Sequence, residues 1–264
     1  MKFPYFLYDN KKTKLFTSIF LIVFSFTLSG CATIADNESA SDPKDPLESI
    51  NRPLWTFNWD YLDKYVTKPV ATAYAEYTPK PVRNGMYNFV RNLDEPATII
   101  NNLLQLKFTD AAKSTGRFVL NSTIGVLGIF DPASDFGWTR KKEEFGEVLG
   151  SYGVGDGAYL MLPFLGPNSV REGVGDYVDK LYWPLAVIDF WPNILRLGIK
   201  GLELRTQLVE QESLINESID PYIFIKNAYF QNMRFKVYDG NPPIEINDKE
   251  DKALESFMDE LDEN

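Results

Sequence analysis

The chain has no histidine and a single cysteine, Cys31, in 264 residues. These two scarcities remove whole classes of chemistry. A Ser-His-Asp or Cys-His nucleophilic site is excluded, and so is a metal centre built from imidazole and thiolate ligands. One cysteine cannot form an intrachain disulfide or a two-cysteine redox motif. Positive charge is also short. The chain carries 27 Lys and Arg against 37 Asp and Glu, a net charge of −10. That balance argues against a nucleic-acid partner, which wants a basic face, and against simple adsorption to anionic lipid. Beyond residue 30 no apolar run reaches the length of about 18 residues that a membrane-spanning helix needs. Neither of two loop-like stretches carries a known site. "DPASDFG" (131–137) lacks the alternating acids of a calcium loop. "YGVGDGAYL" (152–160) follows no clear strand and misplaces the third glycine of a dinucleotide fingerprint. The acidic pairs Asp94-Glu95 and Glu143-Glu144 read as helix-start or surface charges rather than acid/base catalysts. No residue set points to catalysis, and neither a cofactor nor a metal is expected.

The position of the one cysteine is informative. Lys2, Lys11, Lys12 and Lys14 precede "LFTSIFLIVFSFTL" (15–28), an uncharged apolar run of signal-peptide length. The run ends in Leu28-Ser29-Gly30-Cys31, which resembles the lipobox of bacterial lipoproteins. In that class the cysteine thiol is lipidated and the chain is cleaved before it. Several acyl chains together anchor a protein firmly. By the same resemblance, the absence of aspartate at Ala32 favours the outer membrane. The competing reading is an N-terminal transmembrane anchor with an incidental cysteine. Residues 1–30 are therefore expected to be a signal peptide, 31–44 a lipidated tether, 45–240 the folded domain and 241–264 an acidic tail. The tail could end in a short amphipathic helix, with Ala253, Leu254, Phe257, Met258 and Leu261 at helical spacing.

Strand-like alternation is scarce and helical periodicity is common. In "PVRNGMYNFVRNL" (81–93), Val82, Met86, Phe89, Val90 and Leu93 recur at helical spacing behind Pro81. "PATIINNLLQLK" repeats the device from Pro96, Asp110 is placed to cap "AAKSTGRFVLNST", and Asp220-Pro221 opens another helix. "NILRLGIKGLELRTQLVEQESL" (193–214) is the longest helical candidate. The class expected is all-α, built from short amphipathic helices.

Two stretches stand out. Trp55, Phe57 and Trp59, with Tyr61, put aromatics on nearly all sides of a helix around Leu54, Asn58 and Leu62. A helix apolar all round must be buried, here in lipid or in a core. Gly153, Gly155 and Gly157 then precede an apolar arm of Tyr159, Leu160, Leu162, Pro163, Phe164 and Leu165. The glycines make the segment cheap to bend, so it reads either as a mobile gate or as a tight turn.

Five co-linear segments carry a family resemblance: "DPLESINRPLWTFN" (45–58), "PKPVRNGMYNFVRNLDEPATIINNLLQ" (79–105), "GRFVLNSTIGVLGIFDPAS" (116–134), "EFGEVLGSYGVGDGAYLMLPFLGP" (144–167) and "LRTQLVEQESLINESIDPYIFIKNAYFQ" (204–231). Together they resemble the MlaA/VacJ lipoprotein family. The resemblance implies a helical ring in the periplasmic leaflet of the Gram-negative outer membrane, held by its acylated Cys31 and bound to trimeric porins. It implies a central amphipathic channel through which misplaced phospholipid passes inward to a periplasmic MlaC-like carrier. It implies no enzyme activity. A porin-associated lipoprotein without transport activity is the alternative.

Overall fold

The structure, a computed structural model, describes residues 42–243. The signal segment, Cys31 with most of the tether, and the C-terminal tail with its apolar helical pattern lie outside the described residues. The described residues begin with a rod of three helical segments running end to end. Helix α1 (Glu48–Thr56) continues into a π-helical stretch, Phe57–Thr67, and then α2 (Lys68–Tyr77). Wide-turned helix of that length is rare and is usually found near functional sites. Next come α3 (Lys80–Asn92), α4 (Glu95–Leu104), α5 (Phe108–Thr123), the single turn α6 (Pro132–Asp135) and α7 (Phe145–Ser151). A two-stranded antiparallel hairpin follows, β1 (Tyr159–Leu162) with β2 (Gly166–Ser169), in register Tyr159 opposite Ser169. Helices α8 (Val170–Asp179), α9 (Phe190–Leu208), α10 (Glu212–Asn216) and α11 (Pro221–Val237) complete the fold.

The helix starts follow their residues. Pro81 and Pro96 occupy second positions and Pro221 a first position, where a missing N–H costs nothing. Asp220 accepts a hydrogen bond from the Ile223 N–H at 3.1 Å and caps α11 as its sequence implies. Asp110 does not cap. Leu106 turns left-handed at φ 60 and the helix begins at Phe108, so Asp110 sits inside the first turn. The long candidate at 193–214 is interrupted by a 3₁₀ turn, Val209–Gln211, between α9 and α10. The arm at 159–165 is in its first half a strand. Phe164 at φ 67 and Gly166 at φ 82 turn it back on itself. Helices α7 and α8 cross where Gly146 and Gly175 meet, since a Cβ on Gly175 would lie 2.3 Å from the Gly146 nitrogen.

The apolar core is small. Tyr159, Met161, Tyr222 and Phe230 form it, with Leu54, Trp55, Ile223 and Tyr229 packed around them. Among the described residues, twelve apolar side chains are buried and nineteen polar or charged ones are. The surface, by contrast, carries large apolar groups all along the described residues. Phe57, Tyr61, Tyr65, Val66, Val70 and Tyr77 stand out along the first rod. Ile124, Val126, Leu127 and Phe130 crowd the loop after α5, and Phe190, Trp191, Ile194 and Leu195 the start of α9. Buried polar groups and broad exposed apolar surface together are what distinguish a chain built for an apolar surrounding.

Candidate functional site

The buried face of α4 is polar: Thr98, Asn101 and Asn102 point inward with Ala97. Ala97 and Thr98 of that face, with Asp94 before them, form one wall of a cavity of about 280 Å³. The extended segment Lys142, Glu143 and Glu144 forms a second wall, and Asp176, Asp179 and Lys180, on one face of α8, a third. Helix α9 adds Arg196, Leu197 and Lys200, and the hairpin adds Leu165, Pro167 and Asn168. Leu185 supplies a further apolar contact. Charged and apolar groups therefore share one concave surface.

The charges are arranged in nets. Asp94 accepts from Arg196 Nη1 at 2.8 Å and from Lys200, and Arg140 stands 3.9 Å away. Glu144 pairs with Lys142 and with Lys236 at 2.9 Å. Burial pushes the Glu144 carboxyl up, but the two lysines outweigh it and hold it well below the usual carboxylate range. Burial pulls Lys200 down to about 8, with Asp94 opposing. Lys142 lines the cavity and keeps 39% of its side-chain surface accessible. Burial pushes Asp179 up to about 6 against hydrogen bonds from Asn101 Nδ2 (2.7 Å) and the Phe145 N–H (3.1 Å). Asp94 and Glu95 are helix-start residues, as their sequence implies, but not surface ones. Asp94 sits buried at the N-cap position of α4 with its carboxylate turned to Arg196 and Lys200 rather than to the helix N–H groups, and Glu95 is buried against Arg140 Nε at 2.6 Å.

Two asparagines on the first rod hold the hairpin in place. Asn51 Nδ2 donates to the Tyr159 carbonyl at 3.0 Å while its Oδ1 accepts from the Met161 N–H at 2.9 Å. Asn58 repeats the pattern one step on, donating to the Leu162 carbonyl at 2.9 Å and accepting from the Phe164 N–H at 3.0 Å. The side-chain amides thus stand in for a missing third strand and satisfy the free edge of β1.

The residues singled out from sequence separate into four groups. Tyr159 is fully buried in the core, so it cannot touch a passing ligand. Leu160 and Leu162 are half-buried in β1, Pro163 is exposed at its end, and Phe164 and Leu165 are exposed at the tip, 71% and 66%. Of this arm Leu165 alone is on the cavity wall. Gly153 ends α7 in a left-handed cap at φ 87, and Gly157 turns at φ 71 against Val170. Gly153 and Gly155 line a different cavity of about 420 Å³, beside Arg171, Phe230 and Arg234. Trp55 and Trp59 stack at 5.3 Å, Trp55 leaning on the core. Phe57 is exposed and meets Phe164 edge to face at 5.7 Å. The two stretches that stand apart in sequence therefore touch at the hairpin tip.

A protein-family model described as MlaA lipoprotein matches residues 43–236. The chain belongs to the MlaA lipoprotein family. Its relatives in that family include the intermembrane phospholipid transport system lipoprotein MlaA of Escherichia coli (strain K12), 36% identical over 237 residues, covering 89% of this chain and 92% of the relative. The protein of the same description from Haemophilus influenzae is 35% identical, covering 87% and 92%. A solved structure described as the structural basis for maintenance of bacterial outer membrane lipid asymmetry matches with a TM-score of 0.70 at 39% identity, covering 73% of this chain and 98% of that one. The MlaA fold thus places the polar cavity, the hairpin and the apolar exterior in one framework. Asn51, Asn58, Asp94, Lys142, Asp176 and Lys200 are site residues that sequence reading misses. Their only advance signal is asparagine repeated at 51 and 58, two turns apart on either side of the aromatic run's start.

Proposed function

We propose that this chain works in intermembrane phospholipid transport as an envelope lipoprotein that takes misplaced phospholipid from the outer leaflet of the outer membrane and passes it inward. The observation that carries this reading is the inverted distribution of polarity around the cavity walled by α4, α8, α9 and Lys142. A phospholipid has a charged head and two apolar tails. The head needs polar partners throughout, since an unpaired charge in an apolar passage costs several kcal/mol. Lys142, Asp176 and Lys200 offer such partners, while Leu165, Leu185 and Leu197 lie beside them for the tails. The exposed apolar side chains of the rod, the loop after α5 and the start of α9 seat the body in one leaflet. Irregular backbone at that depth is tolerable where it lines a cavity. The acyl anchor at Cys31 holds the chain at the periplasmic leaflet, trimeric porins are its neighbours, and a soluble MlaC-like carrier receives the lipid. The hairpin tip, from Pro163 to Leu165, stands at the cavity and gates it, hinged beyond the Asn58 clasp.

The test is the variant Leu197→Trp, which fills the cavity without adding charge. In a deletion strain the wild-type chain restores low outer-leaflet phospholipid, measured by labelling intact cells, and Leu197→Trp at equal abundance does not. Equal lipid asymmetry with and without the chain supports a structural role beside porins instead.

A further inference from the structure

The cavity wall carries both signs of charge, Lys180 and Arg196 among the cations and Asp94, Glu143 and Glu144 among the anions. Lys142 and Lys200, from the extended segment and from α9, supply ammonium groups. The carboxylates Asp176 and Asp179 lie one helical turn apart on α8. Lys142 and Lys200 are already balanced by Glu144 and Asp94, so an incoming phosphate can share them without stranding a bare cation. The α8 carboxylates differ. Their hydrogen bonds come from neutral donors: Asn101 Nδ2 and the Phe145 N–H to Asp179, and Asn168 Nδ2 at 3.5 Å to Asp176. No cation sits on them at ion-pair distance among the described residues, and the influence of Lys142 and Lys180 reaches them only across space. Burial raises both carboxyls and the neighbouring Glu144 adds to the effect, with Lys142 opposing. A second observation also points into the same space. Thr98 is 1% exposed, lines the cavity, and its hydroxyl has no hydrogen-bond partner. A buried hydroxyl of that kind calls for a partner from a ligand or water.

We propose that the cavity is a station for a zwitterionic headgroup, its phosphate shared by Lys142 and Lys200 and its primary ammonium received by Asp176 and Asp179, with the Thr98 hydroxyl completing the contact. This rests on the reading of the cavity as a phospholipid path and adds a preference to it. Phosphatidylethanolamine satisfies both sets of charges. Phosphatidylglycerol offers the phosphate but brings no cation to α8, and its net negative charge meets two carboxylates that already lack one.

The full-length acylated chain is reconstituted in vesicles of equal phosphatidylethanolamine and phosphatidylglycerol, re-extracted in mild detergent, and its bound lipid identified by mass spectrometry. The wild type is expected to enrich phosphatidylethanolamine about tenfold over the vesicle ratio, the factor that one charge-assisted hydrogen bond supplies. Asp176→Asn, which keeps the shape and removes the charge, returns the ratio toward that of the vesicle, and Asp176→Glu retains the enrichment. A wild-type ratio equal to that of the vesicle overturns the headgroup inference and leaves the path reading intact. So does an enrichment that survives Asp176→Asn. If the wild type binds no more lipid than Leu197→Trp, the path reading itself falls and the headgroup station with it.

Discussion

Phe57 and Phe164 meet edge to face with ring centroids 5.7 Å apart, joining the π-helical rod to the tip of the hairpin. Next to this contact the Asn58 amide holds both the Leu162 carbonyl and the Phe164 N–H. The tip is therefore fastened by one asparagine and one ring, while the base of β1 is fastened by the buried Asn51. Asn58→Ala leaves two backbone groups without their partners. It is expected to cost about 1–3 kcal/mol. Hydrogen exchange should accelerate at Phe164 and stay slow at Met161. Equal acceleration at both amides contradicts separate fastening.

Tyr159 gives a prediction of opposite sign for two substitutions at one position. Its ring fills the core against Tyr222, Tyr229 and Phe230, but its hydroxyl is buried with no hydrogen-bond partner. Tyr159→Ala removes the ring and should cost about 3–5 kcal/mol. Tyr159→Phe removes only the unsatisfied group and should gain about 1 kcal/mol. Chemical denaturation of the three proteins in detergent checks both signs.

Asp94 is the common partner of Arg196 and Lys200. Asp94→Ala leaves two inward-facing cations uncompensated, at an expected cost of about 3–5 kcal/mol. The double variant with Lys200→Met removes one of the stranded charges and should recover part of the loss. No recovery would mean that Asp94 acts through shape rather than charge.

Asp179 sets a pH dependence. Its folded pKa, about 6, lies above its ordinary value of 3.8, through burial first and Glu144 next, with Asn101, the Phe145 N–H and Lys142 opposing. Between those two values the folded chain binds this proton more tightly than the unfolded one. Acidification from pH 7 to 5 therefore adds stability through this group, and that contribution is lost as pH rises through about 6. Asp179→Asn removes the titration. Thermal melting at pH 7 and 5 should show a smaller acid-side gain in the variant than in the wild type.

The helices were legible because prolines, caps and apolar spacing are local signals. Pro81, Pro96 and the Asp220-Pro221 pair mark their helix starts in the sequence as they do in the structure. The short strand was not, because Tyr159–Leu162 is apolar on both faces and its pairing partner, Gly166–Ser169, has no strand character. The edge that would identify β1 is satisfied by side chains from about a hundred residues away. The cavity was hidden for a similar reason. Lys142, Asp176 and Lys200 look like ordinary surface charges in sequence, and only the fold brings them to one concave surface. The aromatic run at 55–61 is visible in the sequence, but the contact of Phe57 with Phe164 depends on the fold.

The central claim is that phospholipid occupies the cavity walled by α4, α8 and α9. A photoreactive amino acid placed at Leu197 in living cells, followed by illumination and mass spectrometry of the purified protein, reads this directly. A second probe at the exposed Tyr61 reports lipid around the outside of the body. The account predicts phospholipid adducts at both positions, with the adduct at 197 abolished when Leu165→Trp plugs the cavity from the hairpin side. An adduct at Tyr61 with none at Leu197 would contradict it, because the protein would then sit in lipid without lipid ever entering its interior.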